Sequence, residues 1–166
     1  MTDIREKETF PIPETEQSRS VHELQKIRTD LIALAYQIPP EMREALIFDE
    51  WTVKDILAHI SGWDSYTIGA LAAFFEGETP DWGGEVDEFN RQSVEERKNL
   101  SWEEVLAEFE ETGHRVIKSY SQVPESVWNQ PMWPDQDTTP HKSIQDDIYH
   151  YGVEHLPQLQ QLAGLS

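Results

Sequence analysis

The fold of this chain follows from one segment, Trp51-Thr-Val-Lys-Asp-Ile-Leu-Ala-His59-Ile-Ser-Gly-Trp63-Asp64. Thr52 is followed three residues later by Asp55, a spacing that predicts an N-cap whose hydroxyl and carboxylate satisfy free N–H groups of the first helical turn. Apolar residues then recur at helical spacing, and we expect this helix to run to about Phe75. His59 lies among apolar and aromatic residues of the helix, where an imidazole is either a satisfied core group or a ligand.

Similar patterns on both sides predict further helices. Apolar residues from Val21 to Ile38 repeat every three or four positions, which is typical of one helical face. Ser101 and Glu104 form a second capping box in front of an amphipathic segment. We expect a first helix over 20–37, a short polar helix over 86–98, a third long helix from Ser101 closed by Pro124, and a last helix over 143–162 with Gly164 at its C-terminal cap.

These elements predict an all-α fold. No window shows sustained strand alternation flanked by hairpin turns. Four long helices make a four-helix bundle, with an extra short helix over 86–98 and a long Trp- and Pro-rich connection over 127–140 before the last helix. Residues 1–16 are polar and charged and are expected to form a flexible N-terminal tail, whereas 17–166 form a single domain.

Composition restricts the kind of function. The formal net charge of −19 leaves no basic patch for nucleic acid or for an anionic membrane surface, so neither is an expected partner. No apolar run is long enough to cross a bilayer and the N-terminus lacks a signal peptide's apolar segment, which predicts a soluble, cytoplasmic protein. The chain has no cysteine, so a metal ion would have to be held by histidine and carboxylate side chains.

The segment from Trp51 to Asp64 resembles the second-helix signature of the DinB-like (YfiT-type) four-helix bundles, and His155-x-x-Gln158 resembles their last-helix ending. The resemblance extends from about Ser20 to Leu162, and Phe89-Asn90 fits the ClbS/DfsB-type branch. It implies a DinB-like bundle with a cleft between helix two and the last helix. It also implies a homodimer that acts on a small-molecule substrate.

Many members of this family hold a divalent metal on three histidines, one from helix two and two from the last helix. The resemblance therefore implies metal ligands at His59, His150 and His155, with zinc or nickel as the ion. It implies a metal-dependent hydrolase or a thiol transferase, the latter with a low-molecular-weight thiol as cosubstrate. The alternatives are a metal-free protein of this family that hydrolyses or sequesters a small molecule, and a non-catalytic dimeric binding module.

The spacing of the last two histidines departs from the family pattern, in which the pair stands four residues apart. His150 and His155 are five apart, so a regular helix does not present both on one face. Pro157 lacks an N–H for the carbonyl of Val153, and Gly152 adds backbone freedom, so we expect a single-turn π-bulge that brings the two together. A second ligand set is His59, His150 and Glu154, and a metal-free cleft is the third interpretation.

Other residues near these motifs are candidates for the substrate pocket, whereas no residue is assigned a catalytic role. The candidates are Trp63, Asp64, Asn90, Tyr151 and Glu154. For Asp64 the alternative is a solvated surface carboxylate, since the chain is strongly acidic. For Trp63 the alternative is a packing role, which is usual for large aromatic residues near helix ends.

Overall fold

The computed structural model describes residues 14–46, 48–82 and 84–164. Its helices are α1 (Glu16–Gln37), α2 (Val53–Phe75), α3 (Val86–Glu95), α4 (Trp102–Ser121), α5 (Pro140–Tyr149), a π-helical segment called here the π turn (His150–His155), and α6 (Leu156–Leu162). The last three follow one another without a break and together form one last helix. Within the described ranges there is no strand, only an isolated bridge between Phe48 and Trp51. The predicted all-α bundle with one extra short helix is confirmed.

Both predicted capping boxes are present. The Thr52 hydroxyl accepts a hydrogen bond of 3.1 Å from the Asp55 N–H, and the Asp55 carboxylate accepts one of 2.9 Å from the Thr52 N–H. Ser101 and Glu104 form the same reciprocal pair at 3.1 and 2.7 Å. Each pair satisfies donors that a free helix end would leave exposed, which is why α2 and α4 begin where the sequence predicts.

Other helix boundaries differ from the predictions. The first helix begins at Glu16 and not at residue 20, because Thr15 caps it and exchanges hydrogen bonds with Ser18. The first turn of α1 is polar, and the apolar period begins only after it. The prediction from apolar spacing therefore placed the start of this helix too late. Of the predicted N-terminal tail over 1–16, residues 1–13 lie outside the described residues. The last helix begins at Pro140, behind an N-cap made by Thr139, since proline suits the first helical position.

α2 packs most extensively against α4 and also contacts α3, while α1 packs against α4 and the last helix. The first half of α2 is buried almost all round, which places His59 at 4 % exposure inside the protein. The long connection before the last helix packs onto the bundle through Trp128, which is 2 % exposed. Among the described residues, no helix has both the length and the apolar character that crossing a membrane requires.

A buried ionic cluster, called here the Asp64 network, ties four elements together. The Asp64 carboxylate contacts Arg28 of α1 at 2.8 Å, accepts a hydrogen bond of 2.8 Å from the Thr112 hydroxyl of α4, and accepts one of 3.1 Å from the Tyr151 hydroxyl of the π turn. Arg28 also donates to the Phe109 carbonyl at 2.8 Å. Asp64 is 0 % exposed and Arg28 is 1 % exposed. The interpretation of Asp64 as a solvated carboxylate is therefore wrong, because the ion pair and two hydroxyl donors satisfy it in the core.

The predicted π-bulge in the last helix is confirmed. The π turn covers His150–His155, and the Leu156 N–H bonds the Tyr151 carbonyl five residues earlier. In an α-helix that bond would go to the residue four earlier. The widened turn ends directly before the short α6, which carries Pro157 in its first turn. Its consequence is that residues five apart lie one above the other, as residues four apart do in an α-helix.

Candidate metal centre

Three histidine side chains meet where α2 passes the π turn. His59 Nε2 lies 3.1 Å from His150 Nε2, and His155 Nε2 lies 2.9 Å from the same atom. Each of the three rings offers one nitrogen as a ligand atom, and these atoms all lie within 4.8 Å of one another. The π turn is what allows this, since it presents His150 and His155 on one face despite their five-residue spacing. The structure thus brings together the three histidines that the resemblance singled out.

All three imidazoles are neutral near pH 7. Burial lowers the pKa of His59 to about 3, helped by the proximity of His155 and His150. Burial, with a further contribution from His155, lowers the pKa of His150 to about 4. The pKa of His155 is also lowered by burial. Neutral imidazole is the form that coordinates a metal ion. The three histidines therefore need to release no proton before they bind a metal ion near neutral pH.

The tautomer of His155 follows from its hydrogen bond. Its Nδ1 lies 2.7 Å from Oε1 of Gln158, an acceptor, so Nδ1 carries the proton and Nε2 presents a lone pair. A second residue that fixes the outer ring nitrogen is the usual arrangement for histidine ligands. Gln158 belongs to the His155-x-x-Gln158 motif, which gives that spacing a physical role.

Hydrogen bonding alone does not account for the close approach of the three rings. His150 Nε2 has two imidazole neighbours at 3.1 and 2.9 Å, yet a neutral ring nitrogen either donates one hydrogen bond or accepts one. A cation that accepts all three lone pairs would remove this conflict. The three ligand atoms lie within 4.8 Å of one another, so His59, His150 and His155 could hold such an ion after small movements of their rings. The residues present therefore fit a divalent metal ion.

The second predicted ligand set is less well placed. Glu154 Oε2 lies 3.6 Å from His150 Nε2, and the Glu154 side chain is 52 % exposed. His155 approaches His150 more closely and is buried at 6 % exposure. The geometry therefore favours His59, His150 and His155, with Glu154 at the mouth of the site.

A cleft of about 480 Å³ opens beside His59 and His150. Its walls come from α2, α3, the long connection and the last helix, and they include the predicted pocket residues Trp63, Asn90 and Glu154. Trp63 Nε1 donates a hydrogen bond of 2.8 Å to Asn90 Oδ1, which fixes the two side chains relative to each other. Trp63 also packs at ring-centroid distances of 4.5–5.8 Å against Tyr66, Trp82 and Phe89. Aromatic packing thus stiffens this wall.

Two of the predicted pocket residues do not line the cleft. Asp64 and Tyr151 are both 0 % exposed and belong to the Asp64 network behind the site. The Tyr151 ring nevertheless lies 5.2 Å from the His150 ring. Their role is to hold the π turn against α2, and so they position His150 without contacting the contents of the cleft.

Sequence reasoning missed Asp147, which lines the cleft one turn before His150. Its Oδ2 accepts a hydrogen bond of 2.7 Å from the Tyr120 hydroxyl, which also lies 2.8 Å from the Ser143 hydroxyl. Burial raises the pKa of Asp147 to about 7, even though the bond from Tyr120 acts in the opposite direction. An i, i+3 relation to His150 on a helical face was a usable signal, but nothing in the sequence indicated burial.

The raised pKa of Asp147 predicts a pH dependence of stability. Because the folded protein binds this proton more tightly than the unfolded chain, the contribution is fully present below about pH 4 and is lost as the pH rises through about 7. Asp147→Asn keeps an acceptor for Tyr120 and removes the titration. The variant should gain about 2–3 kcal/mol of unfolding free energy relative to wild type between pH 5 and pH 8, as measured by urea unfolding at both values.

The neighbouring residue provides a matched control. Asp146 also lines the cleft but is exposed, so Asp146→Asn should differ from wild type by the same amount at pH 5 and pH 8. If Asp147→Asn likewise showed no change between the two pH values, the carboxyl group would not be held protonated in the fold.

Comparison with known protein families gives a match over most of the chain. Residues 21–157 match a family model described as the DinB superfamily, which covers α1 through most of the last helix and includes all three histidines. Neither the curated proteins nor the solved structures contain a significant match to this chain.

Proposed function

The chain belongs to the DinB superfamily, and from this premise we propose that it binds one divalent metal ion on His59, His150 and His155. We propose that it is an enzyme acting on a small reactive molecule in the adjoining cleft. The observation that supports this is the approach of three neutral imidazole nitrogens to within 4.8 Å of one another. Zinc and nickel are the expected ions, because imidazole nitrogen suits both.

A divalent ion on three protein ligands keeps an open position and, when bound, lowers the pKa of a water or thiol there towards neutrality. The chain has no cysteine, so a thiol would be a low-molecular-weight cosubstrate. The protein's own side chains bind and orient the substrate. The aromatic wall around Trp63 holds its apolar part and excludes water, and Gln158 keeps the His155 ring in one tautomer. Attack by water makes the protein a hydrolase, and attack by a thiol makes it a transferase.

The proposal is tested first by metal loading. The purified chain, incubated with zinc or nickel and then dialysed against metal-free buffer, should retain about one ion per chain by elemental analysis. His155→Ala should lose the ion, whereas Glu154→Gln should keep it, because Glu154 lies outside the group of three imidazoles. Retention in His155→Ala together with loss in Glu154→Gln would instead support the ligand set that includes Glu154. A wild-type chain that retains neither ion contradicts the proposal.

The reaction type is tested with the metal-loaded protein and a small electrophile such as an epoxide. Turnover that needs an added thiol identifies a transferase, and turnover in water alone identifies a hydrolase. A metal-loaded protein that does not turn over the electrophile, either in water alone or with added thiol, would support the non-catalytic binding module.

A further inference from the structure

We propose that the substrate of the cleft carries a cationic nitrogen, which the carboxylates of Asp147 and Glu154 hold, attached to an apolar body that lies against Trp63, Tyr66 and Trp133. This inference rests on the proposed function, since it names the substrate class of the same cleft. The charges of the walls, the unpaired oxygen of Asp147 and the aromatic residues of the cleft support it.

The charged groups of the cleft are almost all of one sign. Asp146, Asp147 and Glu154 line it from the last helix, whereas its described lining includes no lysine or arginine. The histidines in the lining are His59 and His150, two of the three proposed metal ligands. A cavity with walls of one sign concentrates ligands of the opposite sign and repels those of the same sign.

Asp147 provides a specific acceptor for such a ligand. Its Oδ2 is bonded to Tyr120, while no described residue donates a hydrogen bond to its Oδ1, and that oxygen is not among the buried polar atoms without partners. Oδ1 is therefore accessible to solvent, on a side chain that lines the cleft. The Arg28 guanidinium lowers the pKa of Asp147 through its charge, but it is already paired with Asp64 in the core. Burial outweighs it and raises the pKa of Asp147 to about 7, and an ammonium in the cleft would offset that unfavourable burial.

The opposite wall suits the rest of the molecule. Trp63, Tyr66 and Trp133 present aromatic rings to the same cavity as the carboxylates. Trp133 is held in place by a hydrogen bond of 2.7 Å from its Nε1 to the Pro80 carbonyl. Aromatic rings bind apolar groups and also attract cations through their π faces. The volume of about 480 Å³ is sufficient for a small arylalkyl amine.

A consequence follows for the nucleophile of the proposed reaction. A cosubstrate thiol that bears carboxylates would meet like charge in this cleft, which disfavours its binding. Water or an uncharged thiol is the nucleophile that the walls accept.

The test uses three probes of nearly equal size, namely 2-phenylethylammonium, 2-phenylethanol and 3-phenylpropionate. Each is titrated into the metal-free full-length protein at pH 8 by calorimetry, with tryptophan fluorescence as a second signal from Trp63 and Trp133. The ammonium should bind at least about tenfold more tightly than the alcohol, since hydrogen bonds to charged groups exceed neutral ones by that order. The carboxylate should bind more weakly than the alcohol.

Variants assign the effect to the cleft. Asp147→Asn together with Glu154→Gln should remove the preference for the ammonium, whereas Asp87→Asn, an exposed acidic residue on α3 outside the cleft, should leave it unchanged. Equal affinity for the ammonium and the alcohol, tighter binding of the carboxylate, or no binding of any probe would each overturn the inference.

The outcome is separable from that of the proposed function. Because the probes are titrated without metal, selective ammonium binding in a chain that never retains metal would support this inference and contradict the metal site. A chain that retains metal in the loading experiment but shows no ammonium preference when metal-free would do the reverse. Loading the three histidines with zinc should weaken ammonium binding, because two cations would then share the cleft.

Discussion

Replacing Arg28 by alanine is expected to lower the free energy of unfolding by about 3–5 kcal/mol, the largest loss of stability from a single substitution that we expect in this protein. The substitution leaves the Asp64 carboxylate at 0 % exposure without its cation. The remaining donors, Thr112 and Tyr151, supply one hydrogen bond each, which does not replace a buried charge partner. The loss would appear as a lower midpoint in urea unfolding followed by circular dichroism.

Two further variants separate this mechanism from simple loss of packing. Arg91→Ala breaks an ion pair with Glu88 in which both side chains are largely exposed, so it should cost no more than about 1 kcal/mol. In the double variant Arg28→Met with Asp64→Asn, neither member of this ion pair remains, the amide oxygen still accepts from one hydroxyl, and its NH2 group can donate to the other. It should therefore be more stable than Arg28→Ala alone. If it were equally unstable, the cost would lie in the packing of residue 28 and not in the uncompensated charge.

Replacing His59 by alanine is expected to lower the affinity for zinc or nickel at least about 100-fold, because it removes one of the three proposed ligands. Changes to residues that only support a ligand typically lower metal affinity by about 10–100-fold, and loss of a ligand itself should cost more. The metal-free fold should persist, since the ring of His59 takes no part in the Asp64 network. Equilibrium dialysis with elemental analysis measures the affinity, and circular dichroism checks the fold. His114→Ala is the matched control, because His114 is exposed on α4 and should leave metal binding unchanged.

The wild-type protein adds a pH test of the same site. The pKa of His59 is lowered to about 3 and that of His150 to about 4, so protons should compete with the metal only below about pH 5. Ordinary imidazoles with a pKa of about 6.5 would begin to lose the metal below neutral pH. Full metal retention by His59→Ala, or release from wild type already at pH 6.5, would contradict the assignment of His59 as a ligand.

The sequence predicted the features that depend on local chemistry. Two helix starts were predicted correctly from the capping boxes of Thr52 with Asp55 and of Ser101 with Glu104. A capping box involves residues only three apart, so it can be read from local sequence. The π turn was also predicted from neighbouring residues, since five-residue spacing of His150 and His155 suits a site only in a widened turn. The three histidines that meet in the structure were also predicted, although the family resemblance was needed to single them out.

The features that were missed depend on distant partners. The burial of Asp64 requires Arg28, which lies 36 positions away and on another helix, so local composition indicated a solvated carboxylate. The position of Asp147 depends on Tyr120 in the preceding helix. The start of α1 was placed too late because its first turn is polar and lacks the apolar period. Pairing between helices, rather than helix formation itself, is what the single sequence left undetermined.

The π turn also affects how this chain is compared with others. Relative to an uninterrupted α-helix, its last helix contains one additional residue between His150 and the segment that begins at Leu156. A search pattern that requires two histidines four positions apart passes over this chain, and a gap-free alignment of the last helix pairs either His150 or His155 with the wrong column. Deleting one residue, such as Gly152, would convert the π turn into a regular α-helical turn, with the two histidines four positions apart and with Leu159 and Leu162 still directed towards the core. The additional residue and the widened turn therefore compensate each other, which keeps the histidine pair and the end of the bundle in place.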